Sequence, residues 1–388
     1  MKLTPIHPFP ARMAPEIVFK ELEGLAPSQA VLDPMSGSGT VLRAASELGH
    51  RAIGFDLDPL AVLMARVWTT SLSSTALQRD ACRLIETAKA LKDDHLPWID
   101  ECGETKEYVG FWFCRKQVKA LRRLSSVLAG RSGVLADAMR IALSRIIITK
   151  ERGASVARDT SHSRPHRVFF ENDYDVYRGF LQSATRLASR LMPEKLLSTV
   201  DVSTGDARLL RSLRPNSIDV VITSPPYLNA IDYLRGHRLA LVWLGYTLRE
   251  IRMLRSRTIG AECGTSTSEH DDKLLANAGH LEKLPTRELG MVRHYAQDVR
   301  AFLRELKRVV KKDGRVVLVV GNSCLKGISV SNADINVAAA ESIGLKSTGR
   351  SERTLPVAHR YLPLPAVGAS GSLAGRMRTE TLLSFSAS

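Results

Sequence analysis

The chain of 388 residues predicts an α/β fold: a mostly parallel sheet with helices on its faces and a mainly helical insertion. Three observations carry this. Short apolar runs ending in an acid alternate with helical patterns near residues 29–68, and the style returns after about residue 197. Strands alternating with helices imply a parallel sheet covered on both sides. Ser217–Thr223 and Arg315–Val320 read as strands of the buried type. Between the two blocks the composition shifts to Arg, Lys, Leu and Ala at helical spacing. At roughly 150 residues per domain the length suits about two or three units. The expected division is 1–68, 69–196 and 197–388.

The elements follow in order. Gln29–Asp33 is the first strand and Pro34–Gly39 its turn. Thr40–Leu48 has helical periodicity and stops at Gly49, a helix-ending glycine. Arg51–Phe55 is the second strand, closed by Asp56. Pro59–Trp68 resumes a helix, with Asp58 as its N-cap and Pro59 at the first helical position. Thr69–Arg190 is too long for a simple connection. It predicts helices over Val118–Leu128 and Ala136–Ile148 and a loop over Lys150–Arg167, with Trp112 of Phe111-Trp112-Phe113 in the core. Past Leu197 a short polar strand leads into Thr204-Gly205-Asp206-Ala207. Ser217–Thr223 is the next strand, Tyr295–Val310 an amphipathic helix, Arg315–Val320 a strand and Thr381–Phe385 the last strand. Arg249–Gly290 lacks periodicity and reads as a long, mobile, basic surface loop.

Composition narrows the function. Hydrophobic residues at 44% and charged residues at 24% describe a soluble globular chain and argue against a largely disordered one. No apolar run reaches the length of a membrane span, and Met1-Lys2-Leu3-Thr4-Pro5 does not start a signal peptide. Lys plus Arg number 55 against 40 Asp plus Glu, a net charge of +15. Such an excess favours a polyanionic partner, because basic side chains displace counterions from phosphates. The five scattered cysteines form no CxxC pair, so they read as reduced thiols of a cytoplasmic protein. No metal is expected: Pro165 spoils the helical spacing of His162 and His166, and no cysteine lies near.

The first candidate site is Asp33-Pro34-Met35-Ser36-Gly37-Ser38-Gly39-Thr40. Glycines after a strand let the backbone approach a ligand, and the next helix offers free N–H groups. The pattern is neither a dinucleotide G-x-G-x-x-G nor a P-loop. Its leading acid suits a cationic ligand, an ammonium or sulfonium. The plain alternative is an ordinary tight turn. About 20 residues on, Asp56 in Gly54–Pro59 is placed to accept hydrogen bonds from ribose hydroxyls. Asp206 ends a third strand and could meet an adenine amino group. Three strand-end acids beside one glycine turn describe a nucleoside-amino-acid site.

The other candidate is Thr223-Ser224-Pro225-Pro226-Tyr227. Two prolines fix the backbone and leave carbonyls without competing N–H donors. Those carbonyls and the Ser224 hydroxyl can accept from an exocyclic amine, and Tyr227 can stack on a planar base. An aromatic amine is a poor nucleophile until acceptors favour its pyramidal form and the positive charge that develops. A rigid turn with a packed tyrosine is the competing reading. Around this motif, Arg235, His237, Arg238, Arg249, Arg252, Arg255 and Arg257 are candidates for phosphate contact, or equally for a solvated surface.

These residues resemble motifs I and IV of the amino-methylating DNA methyltransferases, which act on N4 of cytosine or N6 of adenine. Ser-Pro-Pro-Tyr is the form typical of the N4-cytosine enzymes. His7-Pro8-Phe9-Pro10-Ala11-Arg12-Met13 is similar to the family's cofactor-covering motif X, Gly54–Pro59 to motif II, Gly205-Asp206 to motif III and Gly314–Asn322 to a later strand motif. The resemblance covers residues 1–68 and 197–325. It implies a Rossmann-like class I methyltransferase sheet with an antiparallel C-terminal strand, and S-adenosyl-L-methionine as cofactor. By position, Asp33, Pro34, Gly37, Gly39 and Thr40 would hold the methionine part, Asp56 the ribose and Asp206 the adenine. His7, Pro8 and Phe9 would close over it. Ser224, Pro225, Pro226 and Tyr227 would hold the target base, flipped out of double-stranded DNA. The insertion at 69–196 would read the DNA, and a cognate restriction endonuclease is a conceivable partner. No Pro-Cys dipeptide is present, which disfavours carbon-5 cytosine methylation. The alternatives are N6-adenine methylation, an RNA amino-methyltransferase, a protein-glutamine methyltransferase, and a non-catalytic DNA-binding module.

Overall fold

The structure, a computed structural model, describes residues 3–10, 12–147, 149, 152–158, 165–168, 170–191, 197–228, 232–260, 272–355 and 379–387. The chain opens with helix α1 (Pro15–Leu22), strand β1 (Ala30–Asp33), α2 (Thr40–Glu47), β2 (Arg51–Asp56) and α3 (Pro59–Trp68). A helical stretch follows: α4 (Ser74–Ala90), the short α5 (Pro97–Asp100), α6 (Gly103–Trp112), α7 (Arg115–Ala129) and α8 (Val134–Ser144). A two-stranded ribbon, β3 (Ala157–Arg158) with β4 (His166–Arg167), precedes α9 (Val176–Ala188). The sheet resumes with β5 (Val200–Thr204) and β6 (Ile218–Thr223). Then come α10 (Tyr233–Leu241), α11 (Leu248–Ser256) and two 3-10 turns, Asp272–Leu275 and Leu281–Lys283. The last part is α12 (Thr286–Val309), β7 (Val310–Gly321), the hairpin β8 (Ser323–Leu325) and β9 (Ile328–Val330), α13 (Asn332–Ser342), β10 (Lys346–Thr354) and β11 (Thr379–Ser386).

The main sheet has the order β10-β11-β7-β6-β1-β2-β5. From β7 to β5 every pairing is parallel, and β11 runs antiparallel between β7 and β10. This is a Rossmann-like sheet whose C-terminal strand β11 is antiparallel to its neighbours. The strand order reverses beside β1, since β2 lies on one side and β6 on the other. That is a topological switch point, where open α/β sheets bind ligands.

Side-chain alternation explains why both faces are covered. Val31, Ala52, Val220, Ile222 and Val317 pack on α1 and α2. Their neighbours Leu32, Ile53, Val221, Val316 and Leu318 point to the other face, onto α12 and α13. A third cluster joins the helices of 74–188 to α3 and α10 through Met64, Trp68, Leu77, Phe180, Leu239 and Trp243. The helical segment therefore shares its core with two helices that flank the sheet. Trp112 lies in this cluster, 9% exposed. No helix among the described residues is long and apolar enough to cross a membrane.

Two expectations need correction, and one strand was not foreseen. Arg249–Gly290 is not one loop. Thr247 caps α11 in a capping box with Glu250, and α12 begins at Thr286. In α11 Leu248 and Ile251 are the buried residues, so arginines mask the helical period. The first turns of α12 are equally polar, so the expectation of a helix over Tyr295–Val310 found its buried half. Residues 261–271 of the expected loop lie outside the described residues, as do 159–164 of the polar loop that holds His162. Strand β10 was not foreseen. Its residues are almost all exposed, because an edge strand is held by backbone pairing to β11 rather than by apolar side chains.

Candidate functional site

The carboxyl ends of β1, β2 and β6 converge. Asp33 at the end of β1 accepts a hydrogen bond from Thr223 Oγ1 of β6 at 2.7 Å and one from its own turn, Met35 N, at 3.2 Å. Asp56 at the end of β2 stitches the turn in place. Its Oδ2 accepts from Gly37 N at 2.8 Å and its Oδ1 from Asp58 N at 2.9 Å. Ser36 N donates to Phe55 O at 2.8 Å. The turn also depends on glycine. Gly37 and Gly39 have φ of +49° and +91°, the left-handed region that side chains resist. A Cβ on Gly37 would lie 2.9 Å from the Phe9 ring, and one on Gly39 2.8 Å from Ala65 Cα.

Around this turn opens a cavity at the carboxyl ends of the strands. It is lined by Phe9, Asp33, Pro34, Gly37, Thr40, Asp56 and Asp206 among the residues expected at a cofactor, and by Ser224 and Pro226 among those expected at a target base. Burial of Asp33 pushes its carboxyl up to about 7, with Asp56 adding repulsion. Asp56 is raised to about 6, first by burial and then by Asp58. A buried and a half-buried acid side by side call for a cationic or hydrogen-donating ligand. Three further groups point the same way. Ser36 Oγ, Ser38 Oγ and Thr40 Oγ1 are buried with no hydrogen-bond partner, and all three residues line the cavity. Buried polar atoms are rarely left unpaired without a reason. Helix α2 carries no side-chain cap, so its first turn, at Thr40 and Val41 in the cavity wall, offers its amides to a ligand.

His7, Pro8, Gly39, Pro225 and Tyr227 lie outside the cavity wall. The His7 ring is buried against α8, with Nε2 at 3.0 Å from Ser144 Oγ and Nδ1 at 2.7 Å from Pro8 O. Pro8 is exposed. Phe9 provides the cover instead, stacked on Tyr233 at 5.2 Å. Gly39 shapes the turn from behind, against α3. Pro225 is buried. Tyr227 sits beside the cavity with its hydroxyl 3.3 Å from Ser224 Oγ, which also donates to Val319 O at 3.0 Å. Asp58 is the N-cap of α3, accepting from Leu60 N at 2.9 Å, and its other oxygen meets His237 Nδ1. His237 is thus a buried partner of Asp58 and not a surface contact for phosphate.

Asp206 is anchored as well as exposed to the cavity. Arg208 donates to both its oxygens, at 3.0 and 2.8 Å, and reaches Asp298 of α12 and the carbonyl of Arg257. Burial opposes the charge on Asp206, but the hydrogen bonds from Arg208 hold its carboxyl below the usual carboxylate range. The same arginine ties down the chain before Thr258 and Ile259, which close the cavity wall. Of the arginines considered for phosphate, Arg252 pairs with Glu104, Arg255 with Asp232 at 2.7 Å, and Arg238 with the Tyr108 hydroxyl at 3.1 Å. Arg235 and Arg249 are exposed.

The sequence reading missed Tyr233, Leu234, Thr258 and Ile259, and gave no role to Arg12 and Met13, all in the cavity wall. Nothing local marks Thr258 or Ile259, since α11 brings them in. Arg12 was legible as a cation, and it lines the same cavity as Asp33, Asp56 and Asp206.

No family model matches the sequence. The chain is similar to the Type II methyltransferase M.MvaI of Kocuria varians, 22% identical over 364 residues, 84% of this chain and 78% of that protein. It is similar to the Type II methyltransferase M.BsoBI of Geobacillus stearothermophilus at 23% identity, over 83% of this chain and 74% of that protein. Among solved structures, a TehB-like SAM-dependent methyltransferase from Corynebacterium glutamicum aligns over 97% of this chain and 88% of its own, at 10% identity and a TM-score of 0.32. Over most of its length, then, the sequence is similar to type II methyltransferases.

Proposed function

We propose that the protein is a DNA methyltransferase that moves a methyl group from S-adenosyl-L-methionine to the exocyclic N4 of cytosine. The reading rests on one observation: the acidic glycine turn after β1 and the Ser224–Pro226 segment after β6 line a single cavity. The relatives named type II methyltransferases support it, as does the net charge of +15.

The residues present fit the cofactor. Asp33 offers a counter-charge to a cationic ligand, the unpartnered hydroxyls of Ser36, Ser38 and Thr40 suit its polar methionine end, and Asp56 and Asp206 suit its ribose and adenine. When bound, S-adenosyl-L-methionine supplies an electrophilic methyl group on a positive sulfur. The chain's own residues prepare the other reactant. Ser224 Oγ spends its hydrogen on the Val319 carbonyl, accepts from the Tyr227 hydroxyl, and keeps one lone pair for an amine hydrogen. Pro225 and Pro226 have no N–H to compete for the backbone carbonyls beside them. Acceptors aimed at the amine stabilise the positive charge that grows on nitrogen as the new N–C bond forms and the methyl–sulfur bond breaks, after which the methylated nitrogen would lose one proton to water. The base must leave the duplex stack to reach this point.

The test is chemical. DNA methylated by the protein is digested to nucleosides and weighed. N4-methylcytosine is the expected product; N6-methyladenine alone would overturn the choice of base, and activity on transcripts but not duplex DNA would overturn the choice of DNA. Tyr227→Ala should lower turnover and DNA engagement while cofactor affinity, read by calorimetry, stays close to that of the parent. Equal losses in both would contradict a target-side role for Tyr227.

A further inference from the structure

The ribbon β3–β4 docks on the end of α6 through Val156 N, which donates to Trp112 O at 2.9 Å. It carries an unusual surface. The Arg167 guanidinium lies over the Phe111 ring at 4.8 Å and over the Phe170 ring at 5.3 Å. Phe111 is 50% exposed and Phe170 83%. Among the described residues the Arg167 side chain makes no hydrogen bond or ion pair. Exposed rings gathered in one patch, unlike single ones, mark an interaction site. A guanidinium gripped between two of them loses little freedom on binding, and its N–H edge remains open.

Charge and continuity select the partner. Arg158 on the ribbon and Arg115 and Lys116 at the start of α7 are exposed, while Asp173 is engaged by Arg152 at 2.9 Å. An unbroken series of ring contacts links the patch to the cavity. Phe111 meets Trp112 at 5.0 Å, Trp112 meets Tyr108 at 6.2 Å, and Arg238 stacks on Tyr108 at 5.0 Å. Arg238 belongs to α10, whose Tyr233 and Leu234 line the cavity. A planar cation with an open N–H fork suits phosphate or a guanine edge, and the rings suit sugars and bases.

We propose that Arg167, clamped between Phe111 and Phe170, is a docking point through which the helical segment grips duplex DNA beside the target base. The proposal rests on the methyltransferase reading for the identity of its partner. The experiment compares the parent with Arg167→Ala, Arg167→Lys and Phe170→Ala. Cofactor affinity by calorimetry should be equal in all four, which also shows that the variants fold. Affinity for a plasmid-derived duplex is then measured against salt. Arg167→Ala should weaken binding and lower the slope of log affinity against log salt by about 1. Arg167→Lys should keep most of the slope yet raise the KM for methylation of plasmid DNA roughly tenfold, since an ammonium has neither the fork nor the stacking plane. Phe170→Ala should raise that KM too. Variants identical to the parent in DNA affinity, slope and KM would overturn the proposal, as would a change confined to oligomeric state. A parent that binds no S-adenosyl-L-methionine, with variants that still lose DNA affinity, would sink the methyltransferase reading and leave this surface standing.

Discussion

Asp33→Asn should cut S-adenosyl-L-methionine affinity roughly hundredfold, the scale of removing one partner from a buried charge pair, while making the protein more stable at pH 8. The two effects have one cause. Asp33 is buried and held to about 7, against 3.8 for an ordinary aspartate, so its folded form keeps a proton that the unfolded chain has released. Its contribution to stability is full below about 3.8 and is lost as pH rises through about 7. Asparagine keeps the acceptor for Thr223 and Met35 and never ionises. The variant should therefore match the parent near pH 4 in urea unfolding and exceed it at pH 8. Cofactor affinity of the parent should rise between pH 6 and about 8 as Asp33 ionises, with proton release on binding seen by calorimetry in buffers of different ionisation enthalpy. The variant should lose the part of this pH dependence that belongs to Asp33. A less stable variant at pH 8, or unchanged affinity, would contradict the assignment of Asp33 as the buried counter-charge.

Gly39→Ala should cost about 3 kcal/mol of stability, from a left-handed backbone at +91° and a clash in a packed site. The nearest obstruction is Ala65 Cα at 2.8 Å, closer than its Cβ at 2.9 Å. Adding Ala65→Gly should therefore recover little, because the backbone of α3 cannot withdraw. Urea midpoints of the single and double variants check this. Full rescue by Ala65→Gly would mean that the contact, not the backbone angle, dominates. Weaker cofactor binding should accompany the loss, since the turn that Gly39 bends presents Ser36, Ser38 and Thr40 to the cavity.

Much of this site was legible in the sequence because its signals are local. A strand that ends in an acid, then Gly37 and Gly39, then a helix, is a short-range pattern with a geometric consequence. Asp58 before Pro59 announced its own cap. The long-range features had no such signature. His237 looked like one more surface cation, yet packing of α10 against α3 buries it on Asp58. Arg208 reads as an unremarkable residue two places after Asp206, and its link to Asp298 exists because α12 lies alongside. Leu248 and Ile251 were too few to betray α11 among arginines, and β10 had no apolar pattern at all.

The sequence by itself determined the sheet's alternating strands, the acidic turn and the Ser-Pro-Pro segment, since each depends on the preferences of residues a few positions apart. The tertiary structure alone decided that Thr223 reaches Asp33, that Phe9 rather than His7 covers the turn, and that Phe111 and Phe170 close on Arg167. Those outcomes depend on which distant segments meet when the strand order reverses beside β1, and burial, not local preference, sets that.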